Sequence, residues 1–290
     1  MDILDTNVVI GNIKKNKYEK GYINDITLFE RFKSISEKIR IARFRELDEY
    51  VKNSESILLC FGEKHHDEVF NQSIPFEIRY KNAIKVAEFA ASQLWQWFTY
   101  MCAVLTLCYL IKQDNYKFDE RHNTWYGGKG HNGGDAFDTA YLLMNRMDQS
   151  IRKDVNIGEK IINEMDVNKQ SIQLDYMNAW IKWFNSNSFD HQIPPVKELN
   201  GKWLKQGNKV YSDKFINSVI NQFFRFQNNE EISRLILFTC VKEVLNGASF
   251  EFNDIADVIT IAIAKSKNIP LKTNDKVMKN IAKTMFVIID

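Results

Sequence analysis

Residues 253–290, NDIADVITIAIAKSKNIPLKTNDKVMKNIAKTMFVIID, narrow the possible folds most, because their apolar residues change period three times. Ile255 to Lys265 carries helical spacing, Ile269 to Thr273 is a short apolar strand, Lys276 to Ala282 returns to helix, and Met285 to Ile289 is strand-like again. At the other end, MDILDTNVVI opens with a strand that stops at Asp5 and turns. Helices alternating with β-rich apolar strands at both ends predict an α/β architecture, a parallel sheet flanked by helices.

Between the ends the pattern is mostly helical. Ile26 to Lys38 places Leu28, Phe29, Phe32 and Ile35 on one side of a predicted helix. Ile39 to Ala42 is expected to be a brief strand. RFRELDEYVKN then follows as a helix with Glu46, Asp48 and Glu49 near its start, where carboxylates favour the dipole. Ile57 to Phe61 is strand-like. Phe89 to Ile111 is free of charge for 23 residues, long enough to span a bilayer, but Ser92, Gln93 and Gln96 weaken its first half. A core helix holding Trp95, Trp97, Phe98 and Leu105 is therefore expected. Thr124 to Asp135 holds five of the 12 glycines and predicts an irregular, mobile loop. Helical spacing returns at Ala136 to Met147, at Tyr176 to Phe184, and from Lys214 through Leu245. The stretch Asn187 to Asn208, rich in Pro, Gly, Asn and Ser, is the candidate linker.

Charge points to no partner globally, because 39 basic and 37 acidic side chains leave only +2. Attraction to nucleic acid would need local patches such as Lys14, Lys15, Lys17 and Lys20. Cys60, Cys102, Cys108 and Cys240 lack C-x-x-C spacing, so reduced buried thiols are expected rather than a zinc site or disulfide framework. With no export signature after Met1, a cytoplasmic location is the expectation.

Acidic residues gather where strands end and helices begin. Asp5 ends the first strand, Asp254 and Asp257 lie three apart at the start of an apolar helix, and Asp275 follows a strand. Clustered carboxylates repel and are costly to bury, so a bound cation is one reason for such a cluster. In a parallel sheet the C-terminal strand ends share one edge, where these carboxylates can converge.

These segments resemble the PIN-domain nucleases. LDTNVVI, Leu4 to Ile10, looks like that family's opening motif, and DVITIAIAKSKNIPLKTND, Asp257 to Asp275, like its closing one, with Ile261, Ala262, Ala264, Leu271 and Thr273 in matching places. The family's second acidic residue is a Glu near the start of the helix after the second strand. Glu46-Leu47 fits it, 41 residues after Asp5, with Glu63 or Glu68 as competing assignments. The resemblance implies a nuclease domain built from residues 1–55 and 210–290, with a mainly helical insertion at 56–209. It implies Mg²⁺ or Mn²⁺ held by Asp5, Glu46, Asp257 and Asp275, with Asp254 an additional ligand and Asn7 and Thr273 orienting them. The activity implied is hydrolysis of phosphodiester bonds in nucleic acid, RNA favoured over DNA, by a metal-activated water.

Other clusters read more plainly. His65-His66-Asp67-Glu68 lacks the i, i+4 histidine pair of a zinc helix, and His122 and His131 stand apart, so an exposed polar turn is expected there. Asp135 and Asp138 echo Asp254 and Asp257 but lack a following Thr-x-Asp strand, and read as helix caps. Two rival functions remain open: a catalytically silent PIN-like scaffold for nucleic acid or a protein partner, including a second copy, and a membrane-associated effector resting on Phe89 to Ile111.

Overall fold

A computed structural model describes residues 1–60, 66–113, 117–119, 124–126, 157–163, 186, 212–224, 231–245 and 252–290. The chain divides into two units, one of residues 1–95, 154–166 and 256–290, the other of 96–153 and 167–255.

The first unit is organised by a short strand. Strand β1, Ile3–Leu4, is fully buried because it is central: β2, Tyr22–Asn24, pairs on one side and β6, Leu271–Lys272, on the other. Strand β3, Ile57–Leu59, extends the sheet beyond β2, and the order is β3-β2-β1-β6 with every pairing parallel. The two chain ends thus share one sheet, in register Ile3 to Leu271 and Leu4 to Lys272. Helix α1 is Thr6–Lys14, α2 is Asp25–Phe32, and α3 is Glu37–Ser54. Phe29, Phe32, Phe44, Leu47 and Tyr50 bury the faces of α2 and α3. Burying such side chains contributes roughly 1.5–3 kcal/mol each, the main source of stability for strands this short.

Two elements differ from the sequence expectation. Ile39 to Ala42 is helical, inside α3, and the second strand lies earlier, at Tyr22–Asn24. The pattern IRIAR misleads because its arginine is the buried residue: Arg40 is 8% exposed while Ile39 is 46% exposed. The Arg40 guanidinium donates to the carbonyl oxygens of Phe32 (2.9 Å) and Ile162 (2.7 Å) and to Asn163 Oδ1 (2.7 Å), which compensates its burial. At the C-terminus, the expected strand Met285 to Ile289 is reduced to one parallel bridge between Leu271 and Ile289.

Helix α4 is His66–Val69, and α5 is Phe76–Gln113, which contains the charge-free stretch. Among the described residues no helix is long and apolar enough to cross a membrane. Helix α6, Ile157–Asn163, packs on α5 in the first unit, where a Cβ on Gly158 would collide with the Glu88 backbone.

In the second unit, β4 (Lys117–Asp119) and β5 (Thr124–Tyr126) form an antiparallel ribbon, so the predicted glycine loop begins as strand. Helices α7 (Asp213–Phe223) and α8 (Glu231–Leu245) pack together, joined by a Lys242–Asp213 ion pair at 2.8 Å. Trp97, Phe98 and Leu105 are buried as expected, whereas Trp95, also buried, belongs to the first unit, and Tyr100 meets Phe223 and Phe224 edge-on. Strand β3 belongs to the four-stranded sheet of the first unit, and α7 and α8 lie in the second. The helices expected at Ala136 to Met147 and Tyr176 to Phe184, and the linker at Asn187 to Asn208, lie outside the described residues.

Candidate active site

Strand order sets the location of the site. The chain runs outward from β1 to β2 to β3 and returns to the opposite side of β1 as β6. The switch point is between β1 and β6, and in open parallel sheets ligands bind outside the strand C-termini at such a point. Asp5 directly follows β1, and Thr273 directly follows β6. Thr273 Oγ1 donates to Asp5 Oδ2 at 2.9 Å, joining residues from opposite ends of the chain. Asp5 precedes α1 but makes no capping hydrogen bond through its side chain.

The Asp5 carboxyl is held above its ordinary range. Burial is the main cause; the Thr273 hydroxyl acts against it, and the negative charge of Glu30 raises it further, with the Thr6 and Asn7 amides as smaller offsets. Glu30 lies in α2, the helix that follows the second strand, and is partly buried, with Lys33 Nζ 4.0 Å from its Oε1. Sequence reasoning misses it because the pattern places the second strand too late in the chain. The available signal is NDITLFE, in which Asn24 caps the helix by accepting from the Thr27 amide at 3.0 Å and Glu30 follows one to two turns later.

A belt of buried hydrogen bonds fixes the elements around this edge. Thr6 Oγ1 donates to Thr27 Oγ1 (3.2 Å), Thr27 Oγ1 to Asn24 Oδ1 (3.2 Å), and Asn24 Nδ2 to Thr260 Oγ1 (2.9 Å). Thr260 belongs to α9, Phe252–Lys267. Asp257 precedes it by three residues, so the two share a helix face and Asp257 is one turn nearer the N-terminus. The belt thereby ties the Asp257-bearing helix to the end of β2.

Asp275 caps the last helix, α10, Lys276–Thr284. Its Oδ1 accepts from the amides of Val277 (2.6 Å) and Met278 (2.9 Å), and its own amide donates to Thr273 Oγ1 at 3.0 Å. The Thr273 hydroxyl is thus shared between Asp5 and Asp275, and Asp275 Oδ2 is not used by the cap. Asn7 is exposed on α1, and Thr6 instead enters the buried belt.

Glu46 is committed elsewhere. It stands in the middle of α3 rather than at a helix start, its side chain is 54% exposed, and its Oε2 accepts from Arg31 Nη2 at 2.7 Å. Of the competing glutamates, Glu68 is exposed and accepts from Asn82 at 2.9 Å, and Glu63 lies outside the described residues. Asp254 belongs to the second unit, where its charge adds to burial in pushing the Cys240 thiol upward. Cys60, Cys108 and Cys240 form no disulfide. His65, His122, His131, Asp135 and Asp138 lie outside the described residues. The basic patch is reduced by pairing, Lys17 with Glu19 at 3.3 Å and Lys20 with Glu55 at 2.9 Å.

Among the described residues no three His, Cys, Asp or Glu side chains are grouped to hold a metal ion. Mg²⁺ needs fewer, since it keeps several waters and is often held by one or two carboxylates. Asp5 and Glu30 offer hard carboxylate oxygens, and a divalent ion would relieve both the burial cost of Asp5 and the repulsion between the two. Comparison with protein-family models, curated proteins and solved structures finds no match to this chain.

Proposed function

We propose that this chain is a PIN-like, metal-dependent endonuclease that hydrolyses phosphodiester bonds, with RNA the favoured substrate. The observation that carries the reading is the Thr273–Asp5 hydrogen bond at the β6–β1 switch point, with Glu30 close enough to raise the Asp5 carboxyl. It joins the two sequence motifs that resemble the family's opening and closing signatures, at the sheet edge where ligands bind.

In this reading Asp5, Glu30 and Asp257 would hold the ion, and Asp275 would contribute through the oxygen left outside its cap. Glu30 takes the second acidic position in place of Glu46, because it follows the second strand and acts electrostatically on Asp5. Bound Mg²⁺ or Mn²⁺ supplies Lewis acidity, making water a nucleophile near neutral pH and offsetting charge on the leaving oxygen. The protein's own groups do the positioning. The Thr273 hydroxyl fixes Asp5 Oδ2, and the Asn24–Thr260 bond sets the height of the Asp257 helix. Such supporting groups typically change metal affinity or activity roughly 10–100-fold when removed.

The test is incubation of the purified chain with labelled single-stranded RNA and DNA of one sequence, with Mn²⁺, Mg²⁺ or excess EDTA. Cleavage that requires the metal and is lost in Asp257→Asn, but kept in Asp135→Asn, is the expected result. Cutting that persists in EDTA, or equal loss in both variants, would move the chemistry away from this edge.

A further inference from the structure

Helix α10 begins at the candidate site and carries Lys276, Lys279 and Lys283, spaced i, i+3 and i+7. That spacing puts all three on one face, along about 10 Å of helix. Its opposite side is fixed in the core by Met278, Ile281 and Ala282. Residues 276–289 contain no acidic side chain, and among the described residues none of the three lysines is in an ion pair. Lys276 is the first residue of the helix, where a cation opposes the dipole, so helix stability does not account for it.

The stripe ends at an unusual aromatic. Phe286 is 85% exposed and its backbone is left-handed, with φ 57°, a conformation disfavoured for a bulky side chain. Lys265 Nζ lies 5.6 Å from the ring centroid, which leaves the ring's other face open. Ile288, 65% exposed, is nearby in sequence. Burial of apolar area explains none of this exposure. A row of unpaired cations ending on an exposed aromatic ring is the combination that tracks a phosphate backbone and stacks a base.

We propose that this face of α10, with Phe286, is the track on which single-stranded nucleic acid lies as it enters the candidate active site. Lys276, Lys279 and Lys283 contact successive phosphates, and Phe286 stacks one base. The proposal rests on the nuclease reading for its direction of entry, but the surface can be tested without cleavage.

The test uses the full chain in EDTA, a fluorescein-labelled single-stranded RNA of about 12 nucleotides, within the span such surfaces cover, and anisotropy over a KCl series. In K276A/K279A/K283A, affinity should fall roughly tenfold, and the log–log salt slope should shrink by about two, near 0.7 for each phosphate no longer neutralised. Alanine favours helix, so α10 should persist. Phe286→Ala should weaken binding about fivefold or more with the slope unchanged, and Phe286→Trp should restore it. An unchanged slope in the triple variant overturns the proposal. So does wild-type binding to phosphatidylserine vesicles without binding to RNA, which would make the face a membrane surface. If the predicted losses occur but restored Mn²⁺ yields no cleavage, the track stands and the nuclease reading falls. Cleavage with an unchanged slope does the reverse.

Discussion

Asp5 is an expensive residue in the metal-free protein. It is buried, the negative charge of Glu30 adds to the cost, and its carboxyl is raised accordingly despite the Thr273 hydroxyl. A carboxyl raised by folding binds its proton more tightly in the folded chain than in the unfolded one. Stability therefore falls as pH rises from the unfolded value to the folded one, and the full cost persists above it. Asparagine keeps the acceptor for Thr273 and removes the charge. Without metal, Asp5→Asn should melt about 2–4 °C above wild type near neutral pH, the shift expected from roughly 1 kcal/mol. The difference should shrink as pH drops below the folded value of Asp5. Calorimetry across pH in EDTA checks this; a lower melting temperature for the variant near neutral pH would mean that the carboxylate is compensated without a cation. Asp5 and Thr273 are legible in the sequence because each directly follows a strand with a clear apolar pattern, and Asp275 because it stands between β6 and the next helix. Glu30 is not, since its identity depends on which short segment is the second strand.

At the scale of elements, sequence and structure part where a side chain inverts the usual inside–outside rule or a strand is too short to show a period. Tyr22–Asn24 is only three residues long, and its last residue is already the cap of the next helix. The start of α3 has the pattern of a strand because Arg40 is buried on three acceptors while Ile39 faces water. The Phe89 to Ile111 part of α5 and the helices α9 and α10 are legible because their patterns extend over several turns, whereas the start of α5 at Phe76 is not. Two substitutions test how the elements are held. Thr260→Val preserves shape but leaves Asn24 without its acceptor, and should cost about 1–3 kcal/mol. Because it also loosens the helix bearing Asp257, it should raise the Mn²⁺ concentration needed for half-maximal cleavage, an effect that a purely structural role would not produce. Gly158→Ala tests the approach of α6 to α5. In an open helix it would stabilise by about 1 kcal/mol, but here the new Cβ meets the Glu88 backbone. A loss of about 1–3 kcal/mol is expected, as for other overpacked sites. A rise in melting temperature would contradict the packing.

For the whole molecule, residues far apart in sequence form one α/β unit because the chain's two ends supply adjacent parallel strands. The general architecture can be read from alternating periods at those ends. The division into units cannot, because α5 and α9 each run through a boundary without a break in helical pattern. What the structure adds to the sequence is Glu30, whose negative charge helps raise the Asp5 carboxyl, and this separates two glutamates with different surroundings. Glu30 acts on Asp5, while Glu46, on α3, compensates the buried Arg31. The most direct measurement is therefore the Mn²⁺-dependent cleavage rate of single-stranded RNA by wild type, Glu30→Gln and Glu46→Gln, with melting temperatures taken on the same samples. Glu30→Gln should lose at least about 100-fold in rate, some 2.7 kcal/mol, while remaining folded. Glu46→Gln should cut at close to the wild-type rate and lose about 1 kcal/mol of stability as the Arg31 pair weakens. Full activity in Glu30→Gln, or its loss in a folded Glu46→Gln, would contradict the assignment of the metal-holding edge to Asp5 and Glu30.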